Sequence, residues 1–391
     1  MKTTCKICST LLILLLCVNF SFAQYSIKFR LINFSAKHKD DVLFIAGSFN
    51  NWNPQENKYK FTPKEDTSFL DVNNIPAGTY QYKITRGNWQ TVECTSKGNP
   101  IENHTLVVSS DTTIDTTVTA WQDDFAITKK LSTSSKNVHL LDSAFVIPQL
   151  NTTRALWIYL PPNYDTDTKK RYPVLYMQDG QNIFDEQTAA FGEWGVDESL
   201  DSLIKNGMPA CIVVGIANGA NRMNEYNPYA FRNYGKGTGD EYVDFLAKTL
   251  KPFIDERYRT LTNKENTIIA GSSMGGLISY YALLKYPHVF GKAGIFSPAF
   301  WTASGIEKLT DSLERKINSK LFFYIGRLEG EKYVHDMNKI VEKLGKHSDA
   351  TIYAVIDPLG MHNEKAWHEW FPAFYKWMIA DGFNDVINLD K

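Results

Sequence analysis

The sequence predicts an α/β protein with a mostly parallel sheet, preceded by a small all-β sandwich. Three observations predict it. Apolar and polar residues alternate through residues 25–122, the period of strands that bury one face. From residue 138 onward, short and almost continuously apolar runs alternate with amphipathic helical patterns, as expected of strands covered on both faces. A glycine-rich junction, Gly271-Ser272-Ser273-Met274-Gly275, lies inside the second region, between an apolar run and a helical one.

Residues 1–23 stand apart from both regions and read as a signal peptide. Lys2 and Lys6 supply the positive start, LLILLLCV the apolar run at 11–18, and Ser21 and Ala23, in Ser21-Phe22-Ala23, the small residues at the two positions of a cleavage site. The mature chain is then expected to begin at Gln24 and to be periplasmic or secreted. The apolar run is too short to span a bilayer, and no transmembrane segment is expected. Cys17, at the end of the run, is the alternative: a lipid anchor, though Leu15 and Leu16 stand where a lipobox wants small residues. Of the five cysteines, Cys94 and Cys211 remain after cleavage, in different regions, so no disulfide framework is expected.

In the first region, Tyr25, Ile27, Phe29 and Leu31 alternate with Ser26, Lys28 and Arg30, and Tyr80, Tyr82 and Ile84 with Gln81, Lys83 and Thr85. Turn-forming pairs such as Asn53-Pro54, Ala77-Gly78 and Gly87-Asn88 separate the runs, and the spacing predicts an immunoglobulin-like β-sandwich over 24–122. A polar stretch over 123–137 reads as a linker. The second region, 138–391, offers strands at 154–160, 172–178, 210–217, 266–270, 292–297, 320–325 and 351–356. Helical patterns fall between them at 196–206, 239–258, 274–286, 305–317, 332–345 and 363–379.

The junction at 271–275 has the form G-x-S-x-G, with a strand before it and the helical run LISYYALLKY after it. That is the nucleophile elbow of the α/β-hydrolase fold, which exposes a serine at the carboxyl end of the sheet where a helix begins. Ser273 is the candidate nucleophile. A serine needs a base, and in this fold the chain order is serine, acid, histidine. Among the histidines after Ser273, His362 follows a strand in a loop, whereas His288, His335 and His347 sit in or beside helical patterns and His368 falls on a helix face. Glu329, on the loop after 320–325, is the candidate acid; Glu331, Asp336 and Asp357 are the alternatives. Two backbone N–H groups are needed to bind an oxyanion. Met274, next to the nucleophile, offers one, and Gln181, after the strand at 172–178, offers the other.

Further pieces carry a resemblance to a known family: LYMQDGQNIFD, EWGVDESLDSLI, EYNPY, LKPFIDERYRT, FSPAFW, GRLEG and GMHNEKAW, in order through residues 150–380. This stretch resembles the esterase family that groups feruloyl and acetyl-xylan esterases, esterase D and the enterobactin trilactone esterases. The resemblance implies a serine carboxylic ester hydrolase with the triad Ser273, Glu329 and His362. GMHNEKAW departs from the GGHxxxxW form of some feruloyl esterases, with Met361 in place of the second glycine. In the first region, AGSFNNWNP and IPAGTYQYKITRGNWQ resemble glycogen-binding and isoamylase-type early-set modules. That resemblance implies that Trp52 and Trp89 stack on sugar rings and that the module tethers the enzyme to its polymer.

The chain's 391 residues and 43% hydrophobic content suffice for two cores, and a formal charge of −1 gives no footprint for nucleic acid. No Cys/His cluster has metal-site spacing and no HExxH occurs, so no metal and no cofactor are expected. The expected partner is an ester-decorated carbohydrate from which feruloyl or acetyl groups are removed. A siderophore trilactone esterase and a non-catalytic glycan-binding protein on an esterase fold are the competing readings.

Overall fold

The computed structural model describes residues 24–379, apart from 34–35, 51, 102, 126–129, 191 and 314–316. The expected signal peptide and Cys17 lie outside the described residues. The larger sheet has eight strands in the spatial order Val138–Ile147, Thr152–Tyr159, Ile212–Ile216, Val174–Gln178, Thr267–Ser272, Lys292–Phe296, Lys320–Gly326 and Thr351–Asp357. The first two form an antiparallel edge hairpin, and the second runs antiparallel to Ile212–Ile216. Every pairing from Ile212–Ile216 onward is parallel. Parallel strands all end on the same side, so the loops after residues 178, 272, 296, 326 and 357 open along one edge of the sheet.

The apolar strands are buried on both faces, and the side chains divide accordingly. Val174 and Tyr176 join one core cluster, while Leu175 and Met177 join the other, as the period of two requires. The first cluster is covered by the helices Gly239–Phe245, Lys251–Arg257, Met274–Lys285 and Glu331–His347. The second is covered by Val196–Lys205 and Glu364–Ile379. The strand Val138–Ile147 had no counterpart in the sequence pattern. It is an edge strand with two irregularities in register and with Leu140 and Val146 exposed, so its residues do not alternate cleanly. The helical pattern at 239–258 is one run of helix whose middle, Leu246–Leu250, is a π-helical segment.

The N-terminal region is all-β. A four-stranded sheet (Thr62–Lys64, Thr67–Pro76, Gln24–Asn33, Thr112–Val118) and a three-stranded sheet (Phe44–Gly47, Gly78–Thr85, His104–Val108) share one core. Ile27, Phe29 and Leu31 enter it from the first sheet, Ile45, Tyr82 and Ile84 from the second, and Trp121 closes it without exposure. The stretch expected as linker does not hang free. Lys130 pairs with Glu186 at 2.7 Å, the Ser132 hydroxyl donates to Asp185, and the Ser135 N–H donates to Asp197. Cys94 and Cys211 are buried free thiols. No helix among the described residues is long and apolar enough to cross a membrane.

Phe374, fully buried on the last helix, meets Phe296, Phe322 and Phe371 with centroids 5.5–5.8 Å apart. Phe374→Ala is expected to lower stability by roughly 3–5 kcal/mol, through lost burial plus a cavity. Denaturant melts of the two proteins measure it; a difference below about 1 kcal/mol, the scale of a well-tolerated core change, would mean that this helix is not fixed by that contact.

Candidate active site

Ser273 lies between the strand Thr267–Ser272 and the helix Met274–Lys285, with φ 58° and ψ −120°. A non-glycine residue held there costs on the order of 1–3 kcal/mol, and such strain concentrates at functional positions. The three glycines around it are required by space rather than by φ. A Cβ on Gly271 would come 2.8 Å from the Gly275 backbone, one on Gly275 would come 3.0 Å from Gln178 Cβ, and one on Gly276 would come 2.8 Å from the Phe296 oxygen. The Ser273 N–H donates to that same Phe296 oxygen at 2.9 Å, which ties the elbow to the next strand.

The acid and the histidine are brought together by two glycines on neighbouring strand ends. A Cβ on Gly326 would come within 2.2 Å of the Gly360 backbone, and the Leu328 N–H donates to the Gly360 oxygen at 3.1 Å. Glu329 Oε2 then sits 2.7 Å from His362 Nδ1. The other carboxylate oxygen accepts from the Gly326 N–H at 2.8 Å and from the Ser297 hydroxyl at 2.6 Å. Trp367 Nε1 donates to Ser297 Oγ at 2.9 Å, and its ring stands edge-on to His362. The alternative acids are engaged elsewhere: Asp357 accepts from Trp370 and Tyr324, Glu331 pairs with Arg327, and Asp336 pairs with Lys332. His368 Nδ1 lies 2.6 Å from the Trp194 oxygen, away from the cavity that His362 lines. Sequence reasoning did not single out Ser297. Its signal was the piece FSPAFW, where a serine follows a strand at the same sheet edge.

Gln181 occupies the short helical turn Gly180–Asn182 after the strand Val174–Gln178, and Asp179 just before it is left-handed, with φ 57°. Its side chain exchanges hydrogen bonds with Asn218 at 2.7 and 3.2 Å, which fixes the turn. A residue that the sequence gave no reason to name locks this turn to the elbow. Arg222 holds Asp179 through two bonds of 2.7 Å and reaches the Ser272 oxygen at 3.4 Å. Burial works against the Arg222 charge, but the Asp179 carboxylate more than offsets it and holds the guanidinium charged. The Met274 and Gln181 backbones are thereby set on two segments joined by one ion pair.

Ser273, Glu329, His362, Ser297, Pro298, Trp301 and Tyr333 line one cavity, and Trp52 and Gln81 of the β-module line it with them. This differs from the expectation of a module that acts as a remote tether. The Tyr333 hydroxyl donates to the Ser48 oxygen at 2.8 Å across the junction. Trp52 has a left-handed backbone, φ 57°, and leans on Trp89 with centroids 6.2 Å apart. Trp89 supports Trp52 and is not among the cavity-lining residues.

A family model described as "Putative esterase" matches residues 147–378, and one described as "Pullulanase X25 domain" matches residues 43–124. The "Uncharacterized protein YbbA" of Bacillus subtilis is 32% identical over 187 residues, 46% of this chain and 70% of that protein. The "Endo-1,4-beta-xylanase/feruloyl esterase" of Xylanibacter ruminicola is 34% identical over 143 residues, 36% of this chain. The match spans only 19% of that protein's length. Among solved structures, the enterobactin esterase of Shigella flexneri superposes with a TM-score of 0.52 at 14% identity, covering 89% of this chain and 92% of that one. At that identity the likeness is one of fold.

Two carboxyls, one beside the Gln181 turn and one on the helix Val196–Lys205, are buried. Glu364 accepts from Asn182, beside the Gln181 turn, and burial lifts it from 4.5 to about 7. Burial likewise lifts Asp197 to about 8; the Ser135 N–H opposes the shift and the neighbouring Glu198 adds to it. Groups that bind protons more tightly when folded make stability fall as pH rises from the unfolded pKa to the folded one. Unfolding free energy is therefore expected to decline between about pH 4.5 and pH 8. Glu364→Gln should remove up to about 3 kcal/mol of that decline, its share between pH 4.5 and 7. Denaturant melts across that range test it, and an unchanged slope would mean that Glu364 is ionised in the fold at neutral pH.

Proposed function

The chain belongs to the "Putative esterase" family and is a serine carboxylic ester hydrolase, and from that premise we propose that it removes feruloyl or acetyl groups from a polysaccharide or oligosaccharide. The observation that carries the reading is a single cavity lined by Ser273, Glu329 and His362, with the Glu329 carboxylate 2.7 Å from His362 Nδ1. Ser273 Oγ attacks the ester carbonyl while His362 Nε2 takes its proton. Glu329 accepts from Nδ1–H, which fixes the tautomer and stabilises the imidazolium as it forms. Glu329 can serve because it is buried, at 5% exposure, and held in place by two other donors.

The negative oxygen of the tetrahedral intermediate is received by the Met274 and Gln181 N–H groups, each such donor supplying roughly 3 kcal/mol of transition-state stabilisation. Collapse releases the sugar hydroxyl with the proton from His362. Water, activated by the same imidazole, then cleaves the acyl-serine. The "Pullulanase X25 domain" match over residues 43–124 and the xylanase/feruloyl esterase relative support a carbohydrate-borne ester. Export through residues 1–23 is part of the same proposal, since it would bring the enzyme to a polymer outside the cytoplasm. The substrate assignment is tested by turnover on feruloylated and acetylated xylans against ferric enterobactin. Preference for the trilactone would replace the carbohydrate reading.

Ser273→Ala and His362→Ala are each expected to lower kcat roughly a thousandfold or more, and the double variant little further, because the members act as a unit. Glu329→Gln should cost less, and His368→Ala almost nothing. Kinetics on an aryl ester decide it: an active, folded Ser273→Ala, or a sharp loss in His368→Ala beside a working His362→Ala, would reverse the assignment.

A further inference from the structure

We propose that the β-module supplies a substrate subsite, in which Gln81 donates its side-chain N–H to an oxygen on a flat ring beside the scissile ester and Trp52 covers the face of that ring. The proposal rests on the serine-esterase reading and deepens it, because it assigns recognition of the substrate's ring to a different folded unit from the one that carries the chemistry.

Gln81 lies on the strand Gly78–Thr85 and is 1% exposed, yet it lines the cavity that Ser273 lines. Its Oε1 accepts from Asn103 Nδ2 at 3.1 Å, which sets the orientation of the amide. Among the described residues its Nε2 has no hydrogen-bond partner. Buried polar groups are almost always satisfied, and one left unpaired at the wall of a cavity marks a place where a ligand atom completes the set. An amide N–H requires an acceptor, and the neighbouring walls are flat. Trp52 stands on the module side; Trp301 and Tyr333 stand on the other, with ring centroids 6.1 Å apart. Aromatic faces of this kind fit a planar or C–H-rich ring.

The two walls are held in register by one segment. The Ser48 hydroxyl accepts from the Gln81 backbone N–H at 3.1 Å, and the Ser48 carbonyl accepts from the Tyr333 hydroxyl at 2.8 Å. The Trp52 N–H donates to the Gly47 oxygen at 2.9 Å, which holds the left-handed turn that presents the indole. Two kinds of ester carry a ring with an acceptor oxygen here: a hydroxylated aromatic acyl group and an acylated sugar. The chemistry that Gln81 and Trp52 recognise is common to both.

The full chain is compared with Gln81→Leu, Gln81→Glu, Trp52→Ala and Trp52→Phe, each checked for folding by thermal melting. kcat/KM is measured on methyl ferulate, methyl cinnamate, acetylated xylobiose and vinyl acetate. A site built around a hydrogen bond discriminates strongly against the analogue that lacks the partner atom, so Gln81→Leu and Gln81→Glu are each expected to cut a ring-oxygen preference by about tenfold or more. If the ring is in the acyl group, the ratio of ferulate to cinnamate falls. If it is the sugar, the ratio of acetylated xylobiose to vinyl acetate falls instead. Trp52→Ala should lower the ring esters relative to vinyl acetate, and Trp52→Phe should restore most of the difference. Folded Gln81 variants that keep both ratios at their native values overturn the proposal. The glutamate variant decides the point if the leucine variant does not fold, since it keeps the size and the acceptor that Asn103 uses. Vinyl acetate hydrolysis that is lost in Ser273→Ala keeps the esterase reading standing whichever way the ratios fall. Absence of that activity from the native chain would remove both.

Discussion

The turn from Gly271 to Gly276 runs so close to Gln178 and to the Phe296 backbone that none of its three glycines has room for a Cβ. That close approach is the constraint on which the rest of the structure depends. Within it Ser273 holds a left-handed backbone, and the Met274 N–H stands at the start of a helix. It also sets the elbow against the end of the strand Val174–Gln178, where the Gln181 turn begins. Larger residues at these glycines would separate the two segments, and with them the two proposed oxyanion donors.

Around this fixed point the polar groups are arranged so that each buried charge has a partner. Glu329 accepts from three donors supplied by two strand ends and a loop: the Gly326 N–H, the Ser297 hydroxyl and His362. Asp179 is held by both guanidinium arms of Arg222. A carboxylate held on several sides cannot swing, and a base oriented by it keeps one tautomer. Glu364 and Asp197 are the contrast. Burial raises both, so each holds its proton to higher pH than an exposed carboxyl would.

The position of the β-module changes what the module is for. A tether acts at a distance and adds only effective concentration. A wall of the same cavity acts on the reacting molecule. Trp52 and Gln81 share the cavity with Ser273, and Tyr333 bonds back to Ser48. The region matched as a pullulanase-type domain therefore contributes to the pocket's shape.

The sequence by itself determined the alternation of strands and helices, because apolar periodicity is a local property that survives folding. It also determined the elbow, because glycine and serine spacing encodes a turn that only those residues can make. Ser273, Glu329 and His362 were legible because chain order and strand ends are one-dimensional facts. The edge strand Val138–Ile147 was not legible, since its exposed apolar residues and register shifts erase the alternation. Arg222 and Glu364 carry no local signature, and Ser297 carries only its place after a strand in FSPAFW. An arginine, a serine and a glutamate are ordinary residues until the fold buries them beside Asp179, Glu329 and Asn182. Gln81 was unmarked in the same way, and Trp52 was legible as a ring-stacking residue but not as part of this cavity. Their sequence context places them on a β-module, and only the docking of that module, across about 190 to 220 residues of chain, brings them to the cavity that Ser273 lines. Tertiary structure decided this because contact between distant segments depends on the shapes of whole surfaces, which no local pattern of residues specifies.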